Sequence, residues 1–327
     1  MRTRWFPALV LALAATATVA AGAPPAGGHY VLISHAADSD VWWNTIRNAI
    51  RQAGEDYDVQ VDYRNPPDGD LADMARLLEV AAARNYDGVA FDIADVDVLS
   101  RPAARIAAKD IPIVTINSGT PRESAKLGAI MHIGQPEYAA GKAAGERARA
   151  AGVKSFVCVN HYATNAASFQ RCKGFADALG VDARNSMIDS GVDPVVVRSK
   201  TSAYLRNHPG TQAVLALGPT SAEPALQALR RMNLAGKVYF CTFDLSPAII
   251  AGIRSGEVAF AIDQQPYLQG FVPILQLYLY RASKGLTGPA DVDTGLKFVT
   301  QKTVGPYTST KSRYEGTSSK AGVVKAQ

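Results

Sequence analysis

Nine short apolar runs, most of them ending abruptly in polar side chains, recur along this chain with helical patterns between them. They are HYVLIS (29–34), VQVDY (59–63), GVAFDI (88–93), IPIVTIN (111–117), AIMHIG (129–134), SFVCVN (155–160), AVLALG (213–218), VYFCTF (238–243) and VAFAI (258–262). Helical patterns lie at about Val41 to Ala53, at 71–85, near 97–109, and at PAIIAGIRSG ahead of VAFAI. Strands alternating with helices of about 10–15 residues build right-handed βαβ units and parallel sheets. Such strands are buried on both faces, so their sequences run apolar without alternation. The expected fold class is α/β with doubly wound parallel sheets. Roughly 300 residues remain once the N-terminal segment is set aside, which suits two lobes better than one core.

That segment reads as an export signal, assigned to residues 1–24. Arg2 and Arg4 supply a positive start, Phe6 to Ala15 an apolar core, and Ala20–Ala23 a small-residue cleavage site. The apolar stretch is shorter than the ~20 residues needed to span a bilayer. No cysteine precedes Cys158, so nothing here carries a lipid. The expected location is periplasmic, with the signal removed.

The net charge of +5 sits at the ends: two arginines in the signal and a net +4 in residues 302–327 leave a body of −1. A nucleic-acid binder needs a basic face on its folded domain, and this body has no basic run. The stretch after Pro306, rich in Ser, Thr, Lys and Gly, is expected to be a loosely ordered, solvated tail over 306–327.

Cys158 and Cys172 flank one strand–loop–helix unit, FVCVNHYATNAASFQRCKGF. A bridge between them suits an oxidising compartment. Closing a loop of about 15 residues stabilises by ~3 kcal/mol in the chain-entropy model. The alternative is two buried free thiols; the bridge is the expected state, with Cys241 a core thiol. No cysteine has metal-ligand spacing. Neither GxGxxG nor GxxxxGK[ST] occurs, so no nucleotide cofactor is expected. GxSxG and HExxH are absent too, and the histidines at 29, 35, 132, 161 and 208 fall singly.

In an open parallel sheet, ligands bind outside the carboxyl ends of the strands. The stretch 242–271 offers two such ends, at Asp244 after VYFCTF and Gln264 after VAFAI. A carboxylate at Asp244 accepts from two hydroxyls at once; its alternative role is to cap the helix starting near Pro247. After the first strand, Ser39 or Asp40 can cap a helix whose first turn holds Trp42 and Trp43. Adjacent tryptophans there point about 100° apart, so at most one faces a ligand squarely. An aromatic face suits the C–H face of a sugar ring. Asn117, ending IVTIN, offers an amide that donates and accepts, or alternatively an Asx-turn. Asn165 lies at a helix start as ligand contact or cap. Arg171 follows six residues on, with a fork of donors suited to adjacent oxygens. Asp92 and Asp95 rank lower, and His161 reads as a loop or core histidine.

At these residues the chain resembles the ribose-type periplasmic sugar-binding proteins, the type I solute receptors of carbohydrate ABC importers. The resemblance spans roughly residues 29–299. The family's polar–aromatic–aromatic loop is similar to Asp40-Val41-Trp42-Trp43, and the Asp or Asn ending its IPV strand to Asn117. Its Arg before x-x-Gly-Phe is similar to Arg171 in RCKGF, its Phe-Asp motif to Asp244, and its Ala-x-Gln motif to Gln264. The family's Asn-Asp after a later strand is replaced by Gly218-Pro219, leaving Thr220 or Ser221 to substitute, and Ser118 stands where the ribose binders carry Arg. Both changes remove large hydrogen-bonding groups and point away from D-ribose.

The resemblance implies two lobes joined by three crossover hinges, near Gly134–Gln135, Asp263–Gln265 and Asp293. It divides the chain into an N-terminal lobe of 25–134 plus 265–293 and a C-terminal lobe of 135–264 plus 294–305. It implies a monomer that closes on a monosaccharide or polyol and delivers it to an ABC permease in the inner membrane. An exported carbohydrate-acting enzyme and a sensory module for a chemoreceptor or membrane kinase are the competing classes.

Overall fold

The computed structural model describes residues 27–286 and 290–309. The signal assigned to 1–24 and most of the expected tail, 310–327, lie outside the described residues. Two six-stranded sheets organise the chain. The first runs in the order β2 (Gln60–Arg64), β1 (His29–Ile33), β3 (Gly88–Asp92), β4 (Ile113–Ile116), β5 (Met131–Gly134) and β11 (Val292–Asp293), all parallel. The second runs β7 (Met187–Asp189), β6 (Phe156–Asn160), β8 (Ala213–Ala216), β9 (Tyr239–Phe243), β10 (Phe260–Asp263) and β12 (Lys297–Val299). Here β12 alone is antiparallel, pairing Ala261 with Val299.

Helices cover both faces of each sheet. They are α1 (Trp43–Tyr57), α2 (Leu71–Ala83), α3 (Val96–Ala107), α4 (Pro121–Lys126), α5 (Glu137–Ala150), α6 (Ala166–Leu179), α7 (Pro194–Asn207), α8 (Pro219–Arg231), α9 (Pro247–Ser255), α10 (Pro266–Ala282) and α11 (Gly305–Ser309). Short polar side chains start many of them by accepting from orphan N–H groups: Asp70, Asp95, Thr120, Asn165, Asp193 and Ser246 each cap the helix that follows. The central strands β3, β6 and β8 are buried along their whole length. A hydrophobic cluster therefore fills each face of each sheet, for example Trp43, Ile46 and Ile274 on one side of the first sheet and Met74, Leu78 and Leu99 on the other.

The chain passes between the sheets three times: after β5 through Gln135 and Pro136, after β10 through Gln264 and Gln265, and between β11 and β12 through 294–296. Asp293 itself is the last residue of β11, so the third passage follows it. Two glycine contacts bring α5 and α6 together. A Cβ on Gly141 would lie 2.1 Å from the Arg171 carbonyl, and one on Gly174 2.2 Å from that of Tyr138. Only a residue without a side chain permits this approach, and it seats Arg171 against Glu137.

The described structure departs from expectation at the C-terminus. Residues 305–309 form α11 instead of loose tail; Tyr307 is buried in the second lobe's core and its hydroxyl donates to Asp263 Oδ2 at 2.7 Å. Strands β7, β11 and β12 were not expected either. All three are short, lie at or next to sheet edges and are only partly buried, so they lack the continuous apolar run that marks the others.

Candidate functional site

The carboxyl ends of β1 and β4 face those of β6, β8, β9 and β10 across a cavity. All eight side chains singled out in the sequence line it: Asp40, Trp42, Trp43, Asn117, Asn165, Arg171, Asp244 and Gln264.

The second lobe supplies a charged wall. Arg171, from α6, is held by Glu137 of α5, with Nη2 donating to Oε1 at 2.7 Å and Nε to Oε2 at 2.5 Å. Nη1 donates to the Leu217 carbonyl at 3.0 Å and Nη2 also to Gln264 Oε1 at 3.3 Å. Of the five guanidinium hydrogens, one on Nη1 is left for a ligand. The fork expected to clasp adjacent ligand oxygens is instead clasped by a buried carboxylate. Burial disfavours the charged guanidinium, but Glu137 outweighs it and raises the Arg171 pKa above its ordinary value. The plane also stacks on Phe243, 4.5 Å from the ring centre.

Asp244 follows β9 in a left-handed conformation, φ +60°. It does not cap α9, whose first turn is capped by Ser246. Its Oδ2 accepts from Gln264 Nε2 at 2.7 Å, while its buried Oδ1 has no hydrogen-bond partner among the described residues. Burial pushes its pKa up to about 7, against the opposing influence of Arg171 and Gln264. The buried Trp42 indole N–H lies near enough to favour the ionised carboxylate, yet makes no hydrogen bond of good geometry.

The first lobe supplies Asp40 and a histidine missed in the sequence. Asp40 Oδ1 accepts from the Trp42 N–H at 3.2 Å, one turn before α1 begins at Trp43, so it shapes the approach to the helix. Its other partners come from across the cleft: Tyr162 donates to Oδ2 at 3.1 Å and Thr220 to Oδ1 at 3.3 Å. All are neutral donors, and burial raises the Asp40 pKa. Thr220 lines the cavity, whereas Ser221 turns to the Leu217 N–H and His161.

His35 also lines the cavity. Its Nδ1 pairs with Asp92 Oδ2 and its backbone N–H donates to Asp92 Oδ1 at 2.8 Å. Asp92 thereby fixes the ring with Nδ1 protonated, and in the neutral ring Nε2, 3.3 Å from Asn165 Nδ2, accepts from it. Burial lowers the His35 pKa, but Asp92 outweighs it and the net direction is upward. Asn165 caps α6 through its Oδ1 and reaches across to Ser118 through Nδ2 at 3.2 Å, so cap and contact are combined in one amide. His161 is, as expected, a buried histidine of the loop after β6; it also forms part of the cavity wall and is held neutral because burial pushes its pKa down to about 3.

Asn117 departs most from its expected role. Its amide donates to Gln269 Oε1 at 2.9 Å and Gln264 Oε1 at 3.3 Å, and its oxygen accepts from Ser118 at 3.1 Å. Gln269 in turn donates to the Gln264 carbonyl at 2.9 Å and to Thr294 Oγ1 at 3.3 Å, and the Thr294 N–H donates to the Gly134 carbonyl at 3.0 Å. Asn117 thus belongs to a lattice joining all three passages between the sheets, with Gln264 as its node. Both tryptophans are largely buried, their rings edge-to-face at 5.1 Å, and both reach the cavity wall. The Cys158–Cys172 bridge is formed, tying β6 to α6 with Cα atoms 5.9 Å apart, and Cys241 is a buried free thiol. Among the described residues no group of three or more His, Cys, Asp or Glu side chains is placed to hold a metal.

Residues 30–285 match the model of the periplasmic binding protein domain family. The chain is 28% identical over 274 residues to the xylose/arabinose-binding protein of Sulfolobus acidocaldarius, covering 80% of this chain and 68% of that one. It is 26% identical over 249 residues to the ribose import binding protein of Haemophilus influenzae, covering 74% and 80%. A carbohydrate transporter structure from Acidothermus cellulolyticus 11B, in complex with myo-inositol, superposes with a TM-score of 0.80 at 30% identity, covering 88% of this chain and 99% of that one.

Proposed function

The chain belongs to the periplasmic binding protein domain family, and from that membership we propose the ligand, the moving parts and the location of a sugar receptor. It is a sugar-binding protein of the ABC-importer class and not an enzyme. The proposed ligand is a monosaccharide or cyclic polyol held between the lobes and presented to a membrane permease. The observation carrying this reading is that the cavity is walled by both lobes at once. Asp40 accepts from Tyr162 and Thr220, and His35 from Asn165, so each lobe completes the other's hydrogen bonds.

A ligand in that space would be gripped by Asp40, Trp42 and His35 from one side and Asn165, Asp244 and the remaining Arg171 donor from the other. The three passages are the proposed hinges, with 25–134 plus 265–293 moving against 135–264 plus 294–309. Gln264 would couple them, since it touches Asp244 and Arg171 in one lobe and Asn117 and Gln269 in the other. The N-terminal apolar segment is proposed to direct export to the periplasm, where the receptor works as a monomer.

A thermal-shift screen of the protein against D-xylose, L-arabinose, D-ribose, D-allose and myo-inositol tests the reading. At least one member should raise the melting temperature saturably, and Asp244→Ala should abolish the rise while keeping the native circular dichroism. A binder that stabilises the Asp244→Ala variant as well as the parent would sink the site.

A further inference from the structure

Building on that sugar-receptor reading, we propose that the ligand carries a protonated amine beside its hydroxyls, an amino sugar or aminocyclitol, with the ammonium held by Asp244 Oδ1. The cavity holds more buried acid than base. Asp40 and Asp244 line it, and Asp92, Glu137 and Asp263 stand directly behind. Against them Arg171 is the cation that lines the cavity, and it is clasped by Glu137. His35 is paired with Asp92. Asp263 is satisfied by the Gln265 N–H and Tyr307. That leaves Asp40 with neutral donors only and Asp244 with Gln264 as its one well-formed donor, the Trp42 N–H nearby, and an oxygen without a hydrogen bond of good geometry.

Three ligand classes meet this wall differently. A sugar acid or phosphate finds no uncommitted cation, and its charge would face two carboxylates. A neutral polyol can complete the hydrogen bond to Asp244 but adds no charge beside a carboxylate that burial disfavours and Arg171, committed to Glu137, only partly offsets. An ammonium offers three donors and no acceptor, which matches an acceptor-only oxygen and neutralises it in a charge-assisted bond. The neighbouring Trp42 Nε1–H, buried beside the Asp244 carboxylate without a hydrogen bond of good geometry to it, is a donor that can turn to a hydroxyl oxygen of the same ligand. One polyol ring bearing an amine and a hydroxyl supplies both.

The test is isothermal titration of the protein with matched sets: D-glucose, D-galactose and myo-inositol; D-glucosamine, D-galactosamine and scyllo-inosamine; and the N-acetyl forms of the amines. At least one amine should bind about tenfold more tightly than its neutral parent, the usual margin of a charged over a neutral hydrogen bond. N-acetylation should erase the gain, and Asp244→Asn should reduce amine and parent to equal affinity. The gain should fall as pH drops below about 7, where Asp244 takes up its proton, and again above the amine's own pKa, where the ammonium is lost. A neutral parent binding as tightly as its amine overturns the inference while leaving the sugar-receptor reading intact. Silence from every member of all three sets counts against both.

Discussion

The two sheets place the same backbone turn at corresponding strand ends and put different chemistry on it. Asn117 follows β4 with φ +57° and Asp244 follows β9 with φ +60°. Each donates its N–H one strand over, to Ile133 at 2.9 Å and to Ile262 at 2.7 Å. The strand orders correspond position by position, with β4 and β9 both fourth when counted from β2 and β7. Beyond the backbone they part. Asn117 spends its amide on the lattice between the sheets, while Asp244 keeps one oxygen open toward the cavity. The difference teaches that one lobe uses this turn to anchor the connection and the other uses it to present a charge.

The sharpest way to break that contrast is through the buried charge itself. Arg171→Met removes the partner of a carboxylate that is 5% exposed, and should destabilise the second lobe by ~3–5 kcal/mol, read by urea denaturation. Arg171→Met with Glu137→Met should recover most of it, because no orphaned ion remains. The corresponding cut in the first lobe, His35→Gln, should cost less, since Asp92 keeps the backbone N–H of residue 35. Equal losses in the two lobes would remove the distinction.

A second asymmetry is covalent: the bridge Cys158–Cys172 staples the second lobe, and the first lobe has no cysteine. Reduction, or Cys158→Ser with Cys172→Ser, should cost about 3 kcal/mol for a loop of this length. Separate probes in each lobe should show the loss confined to the second, a departure from two-state unfolding.

The carboxylate of Asp244 also makes stability depend on pH in a direction Asn117 cannot. Its folded pKa of about 7 lies above the unfolded value, so the native state holds its proton where the unfolded chain has released it. Without ligand, stability should fall as pH rises from about 4 to about 7, by up to a few kcal/mol. Asp40, shifted upward, acts in the same sense over this range, and His35, shifted upward from 6.5, extends the fall to higher pH. Asp244→Asn should flatten the slope and Asn117→Ala should not; parallel slopes in all three proteins would refute the assignment.

Legibility in the sequence followed the same divide between local and distant causes. The buried parallel strands are legible as apolar runs, and a polar residue at or just past the end of such a run, as at Asn117, Asp244 and Gln264, marks the cavity. His35 and Asp92 also follow apolar runs, but they are 57 residues apart and become a pair only because β1 and β3 are neighbours. Glu137 and Arg171 meet across 34 residues through the glycine contacts of α5 and α6. Gln269 and Tyr307 read as ordinary helix and tail residues, because nothing local shows that their polar ends reach the passages between the sheets. Arg171 shows the same limit: its fork is visible in the sequence, its buried clasp by Glu137 is not.

The smallest effect isolates the shared backbone turn from the unlike side chains. A left-handed conformation costs a residue with a Cβ about 1 kcal/mol, and glycine avoids that cost. Asn117→Ala loses the amide and retains the strain, whereas Asn117→Gly loses the amide and relieves it. The alanine variant should therefore be less stable than the glycine variant by about 1 kcal/mol, and Asp244→Ala and Asp244→Gly should differ by a similar margin. Equal margins would mean that the two sheets share one turn and differ only in what hangs from it. A margin at Asp244 alone would mean that the lattice of Gln264 and Gln269 distorts the Asn117 turn once its amide is removed. The anchor in the first lobe would then hold its shape through the side chain, and the resemblance of the two strand ends would be a product of packing as much as of backbone.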